Sequence, residues 1–177
     1  MEISILEAVW FALTGVLLGA FTVTGGFDFG AGIAVNSLGH ANPRWVKAVA
    51  RQAATLAHCS NLYLTKVHAD LAEKLVGLIG GGKMFFCNSG TEANEALIKA
   101  ARLHGVKVAG KEGVKCRIVT AVDCFHGRTL GAVAATAQYK IQHNFAPLLE
   151  GFSYAKFNDA DSFAAQMGDD VAAVLVE

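Results

Sequence analysis

The stretch FFCNSGTEANE, residues 85–95, constrains the fold more than any other part of the chain. Lys83 to Cys87 is short, apolar and aromatic, the pattern of a buried strand. Ser89 and Glu92 then fit a capping box, with Ser89 as N-cap and Glu92 at N3. Ala93, Ala96, Leu97, Ala100 and Leu103 follow at helical spacing, and Gly105 is placed to close the helix. A strand, a tight glycine turn and a helix therefore succeed one another. At such a junction the first N–H groups of the helix have no partner, and the helix dipole favours an anion. Ser89 and Thr91 add hydroxyl donors around Gly90. No lysine stands in the turn, so neutral donors would hold the anion. That suits a phosphate on an organic molecule better than a triphosphate with magnesium. On this segment alone, an ordinary helix cap fits equally well.

The rest of the chain alternates helices and strands. Asn42-Pro43 reads as an N-cap with proline at the first helical position. Trp45, Val46, Val49, Ala53 and Leu56 continue an amphipathic helix to about His58. Residues 59–65 (CSNLYLT) connect it to a second helix carrying Val67, Leu71, Leu75 and Leu78, which Gly80 to Gly82 stop. Cys116–Val122 and Val171–Val176 are further buried strands, and Asp123–Thr129 is a loop leading into a small-residue helix. Such alternation predicts an α/β fold, a mainly parallel sheet with helices on its faces.

The first residues have a different texture. Ala8 to Phe27 is uncharged and about as long as a bilayer-crossing helix, with Gly15 and Gly19 at GxxxG spacing. The expected organisation is an apolar, possibly membrane-spanning helix over 1–27 and a soluble domain over 28–177. Residues 25–32 (GGFDFGAG), with the apolar run before them, resemble the first helix of subunit II of cytochrome bd-type quinol oxidases. That resemblance implies a membrane anchor as an alternative to a cytoplasmic location, and an oxidase-like or chimeric piece as an alternative function.

Composition narrows the remaining classes. Lys+Arg is 15 and Asp+Glu is 15, so the chain lacks the basic surface that a nucleic-acid partner requires. Cys59, Cys87, Cys116 and Cys124 form no CxxC pair, which points away from zinc and from a disulfide scaffold, and no metal site is expected. They read as small, mostly buried residues. GLIGGGK, residues 77–83, approaches a P-loop, but Met84 follows it and the glycines come after a helix. It reads as a helix stop. FHGRT, residues 125–129, follows the second strand, at the sheet edge where ligands gather in open α/β folds. Phe125 offers a flat face for a ring and Arg128 a bidentate fork for a carboxylate. His126 reads as a satisfied structural histidine. SNLY, residues 60–63, lines a pocket or is simply a turn.

Four motifs, AGIAVNSLGHANPRW, HCSNLYLT, FFCNSGTEANEALIKAAR and FHGRTLGAVAATAQ, occur in that order over residues 28–177. Together they resemble the N-terminal half of class III pyridoxal-phosphate aminotransferases, in the acetylornithine aminotransferase group. The resemblance implies part of the large domain of a type I fold and a homodimer. It also implies transfer of an amino group from N-acetylornithine, or a related ω-amino donor, to 2-oxoglutarate, in cytoplasmic arginine biosynthesis. By resemblance, Ser89, Gly90 and Thr91 bind the phosphate of pyridoxal 5'-phosphate, and Phe125 stacks on its ring. Arg128 holds the substrate carboxylate, and Asn61 and Tyr63 line the pocket. The family's Schiff-base lysine has no counterpart in these residues, since neither Lys140 nor Lys156 stands in its sequence context. The expectation is that the chain alone does not transaminate.

Overall fold

The computed structural model describes residues 38–60 and 62–177, which fall into two compact units, 38–86 and 87–177. The possible membrane helix over 8–27 lies outside the described residues. Among those described, no helix is long and apolar enough to cross a membrane.

The first unit holds two helices, each with the ends its sequence predicts. Helix α1, Pro43–Thr55, starts with proline in its first turn, and the Asn42 side chain accepts hydrogen bonds from the N–H groups of Arg44 and Trp45. Helix α2, Lys66–Ile79, is capped by Thr65, whose hydroxyl accepts from His68 N–H. It ends at Gly80, where φ is +78°, a left-handed turn that glycine adopts without strain. GLIGGGK is thus a helix stop. The rings of His68 and Phe86 stack with centroids 5.1 Å apart.

The second unit is built on three parallel strands in the order β2-β1-β3. Strand β1 is Arg117–Ala121, β2 is Phe152–Ala155 and β3 is Val171–Leu175. The helices are α3, Gly90–Ala109; α4, Leu130–Ala135; α5, Tyr139–Gln142; and α6, Ala160–Gln166. Strand β1 is central and its last four residues are buried. Its side chains alternate between the sheet faces. Ile118 packs with Ile98 and Ala101 of α3 and Ala135 of α4, joined by Phe152, Ala172, Ala173 and Leu175. Val119 packs with Ala155 and Val171, joined by Phe163 of α6 and Val174. Both faces of β1 are thus dry, as the apolar run CRIVTAV requires.

Arg117 secures the N-terminal edge of this sheet. Its guanidinium donates to both carboxylate oxygens of Asp170 at 2.7 Å, to Ser153 Oγ at 2.7 Å and to the Gln166 carbonyl at 2.9 Å. The fork holds the Asp170 carboxyl below its ordinary range, chiefly by hydrogen bonding.

Three expectations need correction. Lys83–Cys87 forms no strand, because a strand exists only when a neighbour pairs with it and no described residue does so. Gly105 does not end α3, which runs on to Ala109 and stops at Gly110, where φ is +69°. Gly105 is buried, and a Cβ there would overlap the carbonyl of Lys115. Its lack of a side chain serves a close approach and not a turn. Of the four cysteines, only Cys124 is fully buried; Cys87 is exposed and Cys59 and Cys116 are intermediate.

Candidate functional site

The C-terminal end of β1 and the start of α3 meet in the second unit. Ser89 is the N-cap of α3, its Oγ accepting from Glu92 N–H at 3.2 Å. Glu92 closes the box one residue further back than usual: its carboxylate accepts from Asn88 N–H at 2.6 Å and from Asn88 Nδ2. Gly90 and Thr91 are the next two residues, and N–H groups at such positions have no intrahelical acceptor. With Glu92 N–H and Asn88 N–H already paired, the Gly90 and Thr91 N–H groups remain as donors for a ligand. The Ser89 hydroxyl accepts in the cap and keeps its own proton to donate.

The FHGRT loop lies against this turn. Gly127, at φ +124°, packs on Thr91 so tightly that a Cβ would overlap the threonine side chain. Phe125 and Arg128 are therefore carried on a loop that packs against the N-terminus of α3. Phe125 is 42% exposed, which leaves ring face available. Its N–H donates to Glu177 Oε2 at 2.6 Å, just past the end of β3. The Arg128 guanidinium carbon stands 5.7 Å from the Phe125 ring centroid, a cation–π distance, and the residue is exposed.

Between these two residues, His126 turns inward and is 3% exposed. Its N–H donates to Thr136 Oγ1 at 2.8 Å and its carbonyl accepts from Asn94 Nδ2 at 2.8 Å. The ring nitrogen Nε2 has no partner among the described residues. Burial pushes its pKa down to about 4, so the ring is neutral at physiological pH. The expectation of a structural histidine is half right: it is buried, but its ring is not satisfied.

Sequence reasoning overlooked the residues that clamp the loop. Beside Asn94, Glu95 accepts through Oε1 from the Thr129 hydroxyl and from Ala132 N–H. Thr129 is the N-cap of α4. The carboxylate also packs on Gly131, where a Cβ would come within 2.7 Å of Oε1. Their signal was present in the polar pair of GTEANE, but the capping role of Glu92 accounted for the motif's acidity first.

Tyr63 belongs to the other unit, 67% exposed on the connection between α1 and α2. Asn61 lies outside the described residues. Lys140, on α5, and Lys156, which follows β2, are both exposed. Among the described residues no group of His, Cys, Asp and Glu is arranged to hold a metal.

The sequence pattern of the family described as Aminotransferase class-III matches residues 25–177. The chain belongs to the class III aminotransferases. That match begins at Gly25 and so overlaps GGFDFGAG. An acetylornithine aminotransferase from Caldanaerobacter subterraneus is 48% identical over 151 residues, covering 85% of this chain and 38% of that protein. The chain thus spans little more than a third of that relative's length. An ornithine aminotransferase structure from Toxoplasma gondii superposes with a TM-score of 0.73 at 26% identity, over 79% of this chain and 34% of that one. An amine transaminase from an uncultivated Pseudomonas species, solved in a PLP-bound form, has a TM-score of 0.69 over 87% of this chain and 39% of that one. At 20% identity that likeness shows the fold alone.

Proposed function

We propose that residues 87–177 carry the phosphate, ring and carboxylate parts of a pyridoxal-phosphate aminotransferase site. The observation that carries this reading is the seating of Gly127 on Thr91, which joins two motifs into one surface. The donor chemistry fits the cofactor. Gly90 N–H, Thr91 N–H and the Ser89 hydroxyl are neutral donors suited to a phosphate monoester at a helix N-terminus. Phe125 presents a face to the pyridine ring, and Arg128 supplies a planar fork for the α-carboxylate of an amino acid. When bound, the cofactor supplies the electron sink through which an amino group passes from donor to acceptor. The chain's own residues bind and orient. Neutral His126 forms a dry wall behind the loop and contributes no charge.

Class membership and the relative at 48% identity support N-acetylornithine, or a related ω-amino donor, as amino donor and 2-oxoglutarate as acceptor. Cytoplasmic arginine biosynthesis and a homodimer belong to the same reading. Lys140 and Lys156 do not attach the cofactor in it. Residues 1–177 alone bind pyridoxal phosphate without transaminating.

Titration of the chain with pyridoxal phosphate, pyridoxal and inorganic phosphate, followed by absorbance and tryptophan fluorescence, tests the reading. Pyridoxal phosphate should bind at least about tenfold more tightly than pyridoxal, and Ser89→Ala, which removes the one hydroxyl donor, should narrow that gap. Equal binding of both aldehydes, unaffected by Ser89→Ala, would refute the phosphate site. Turnover of N-acetylornithine and 2-oxoglutarate above the free-cofactor background would refute the statement about the lysines.

A further inference from the structure

Asn94 and Glu95 are adjacent on α3, one turn beyond the Ser89–Thr91 turn, and both reach the same loop. Asn94 Nδ2 donates to the His126 carbonyl at 2.8 Å. Glu95 Oε1 accepts from the Thr129 hydroxyl and from Ala132 N–H. The loop is therefore gripped on both sides of Gly127 and Arg128, while Gly127 itself rests on Thr91. Neither side chain is spent on holding α3 together, because their bonds cross from the helix to residues more than 30 positions away.

We propose that Asn94 and Glu95 are positioning residues that fix Phe125 and Arg128 relative to the phosphate turn. The distance between phosphate donors and ring platform is then set by two side chains of one helix turn. The consequence for ligands rests on the function proposed above; the consequence for the loop does not. Asn94 is required as a donor. Glu95 is required as an acceptor, and its charge is dispensable.

Amide hydrogen exchange of the full chain without ligand tests the loop directly. The reporters are the Phe125 and His126 amides, whose own acceptors, Glu177 and Thr136, are left intact. Asn94→Ala, Asn94→Asp and Glu95→Ala should each speed exchange at these amides about tenfold, with residues 118–121 of β1 unchanged. Glu95→Gln keeps an acceptor oxygen and should stay within about twofold of the parent chain. No change in the loop, equal acceleration in β1, or a Glu95→Gln variant as fast as Glu95→Ala would overturn the proposal.

Binding supplies the second readout. In Asn94→Ala the affinity for inorganic phosphate should hold, while the extra affinity for pyridoxal phosphate over phosphate falls about tenfold. Equal loss of both would show that Asn94 merely supports the helix, and the proposal would fall. If the parent chain binds neither molecule, the proposed function fails, and hydrogen exchange still decides the positioning role.

Discussion

The side chain of Thr91 and the backbone of Gly127 are in contact so close that no Cβ fits between them. Thr91 opens α3, and Gly127 lies on the loop that follows β1. Their contact turns two separate motifs into one site. The φ of +124° at Gly127 adds a second reason for glycine, since L side chains are strained there. Gly127→Ala should destabilise the chain by at least about 2 kcal/mol, through strain and overpacking together. Urea unfolding measures this. Thr91→Ala in the same background removes the worst overlap, with Oγ1, but leaves its own Cβ at 2.9 Å and the strain untouched, so it should recover only part of the loss. Full recovery would mean that the backbone conformation costs nothing.

Gly105 makes the opposite test of a glycine. Within a helix, alanine is ordinarily favoured over glycine by about 1 kcal/mol. Here an added Cβ would overlap the Lys115 carbonyl that lies against α3. Gly105→Ala is expected to lower stability by about 1–3 kcal/mol instead. A stabilising substitution in thermal unfolding would contradict the packing described.

Acid should weaken the fold through His126. Burial lowers its pKa to about 4, whereas the unfolded chain takes up this proton near the ordinary value of 6.5. The contribution is therefore complete above about pH 6.5 and declines as pH falls toward 4, by up to about 3 kcal/mol. Unfolding free energies at pH 7 and pH 4.5 should differ by more in the parent chain than in His126→Asn. The same pH dependence in both would assign the loss to other groups.

Much of this arrangement is legible in the sequence because its signals are local. Asn42-Pro43 and Ser89 announce helix starts through their own side chains, and Gly80 announces a stop through its own φ. The apolar run of β1 reflects burial on both faces, whereas β3, equally apolar, is buried at Val171 and half-buried beyond it. Features that depend on distant partners are less visible. Lys83–Cys87 has strand composition but no pairing partner among the described residues. Strand β2, FSYA, is four residues long and carries a polar serine and an exposed tyrosine, too brief a pattern to separate from a loop. Gly105 and Gly110 look alike in sequence, and only the Lys115 carbonyl distinguishes a close approach from a helix stop. At the site, the Ser89–Thr91 turn and the Phe125–Thr129 loop are each recognisable alone. The bonds from Asn94 and Glu95 that join them are not, because polar residues inside a helix usually face water.

The central claim is that the Ser89–Thr91 turn takes the phosphate of pyridoxal phosphate while Phe125 takes its ring. The most direct measurement is an NMR titration of the labelled chain, following the Gly90 and Thr91 amides and the Phe125 ring protons. Pyridoxal phosphate should shift all three saturably, and inorganic phosphate should shift the two amides while leaving the ring unmoved. Saturable binding that leaves the Gly90 and Thr91 amides in place would contradict the account.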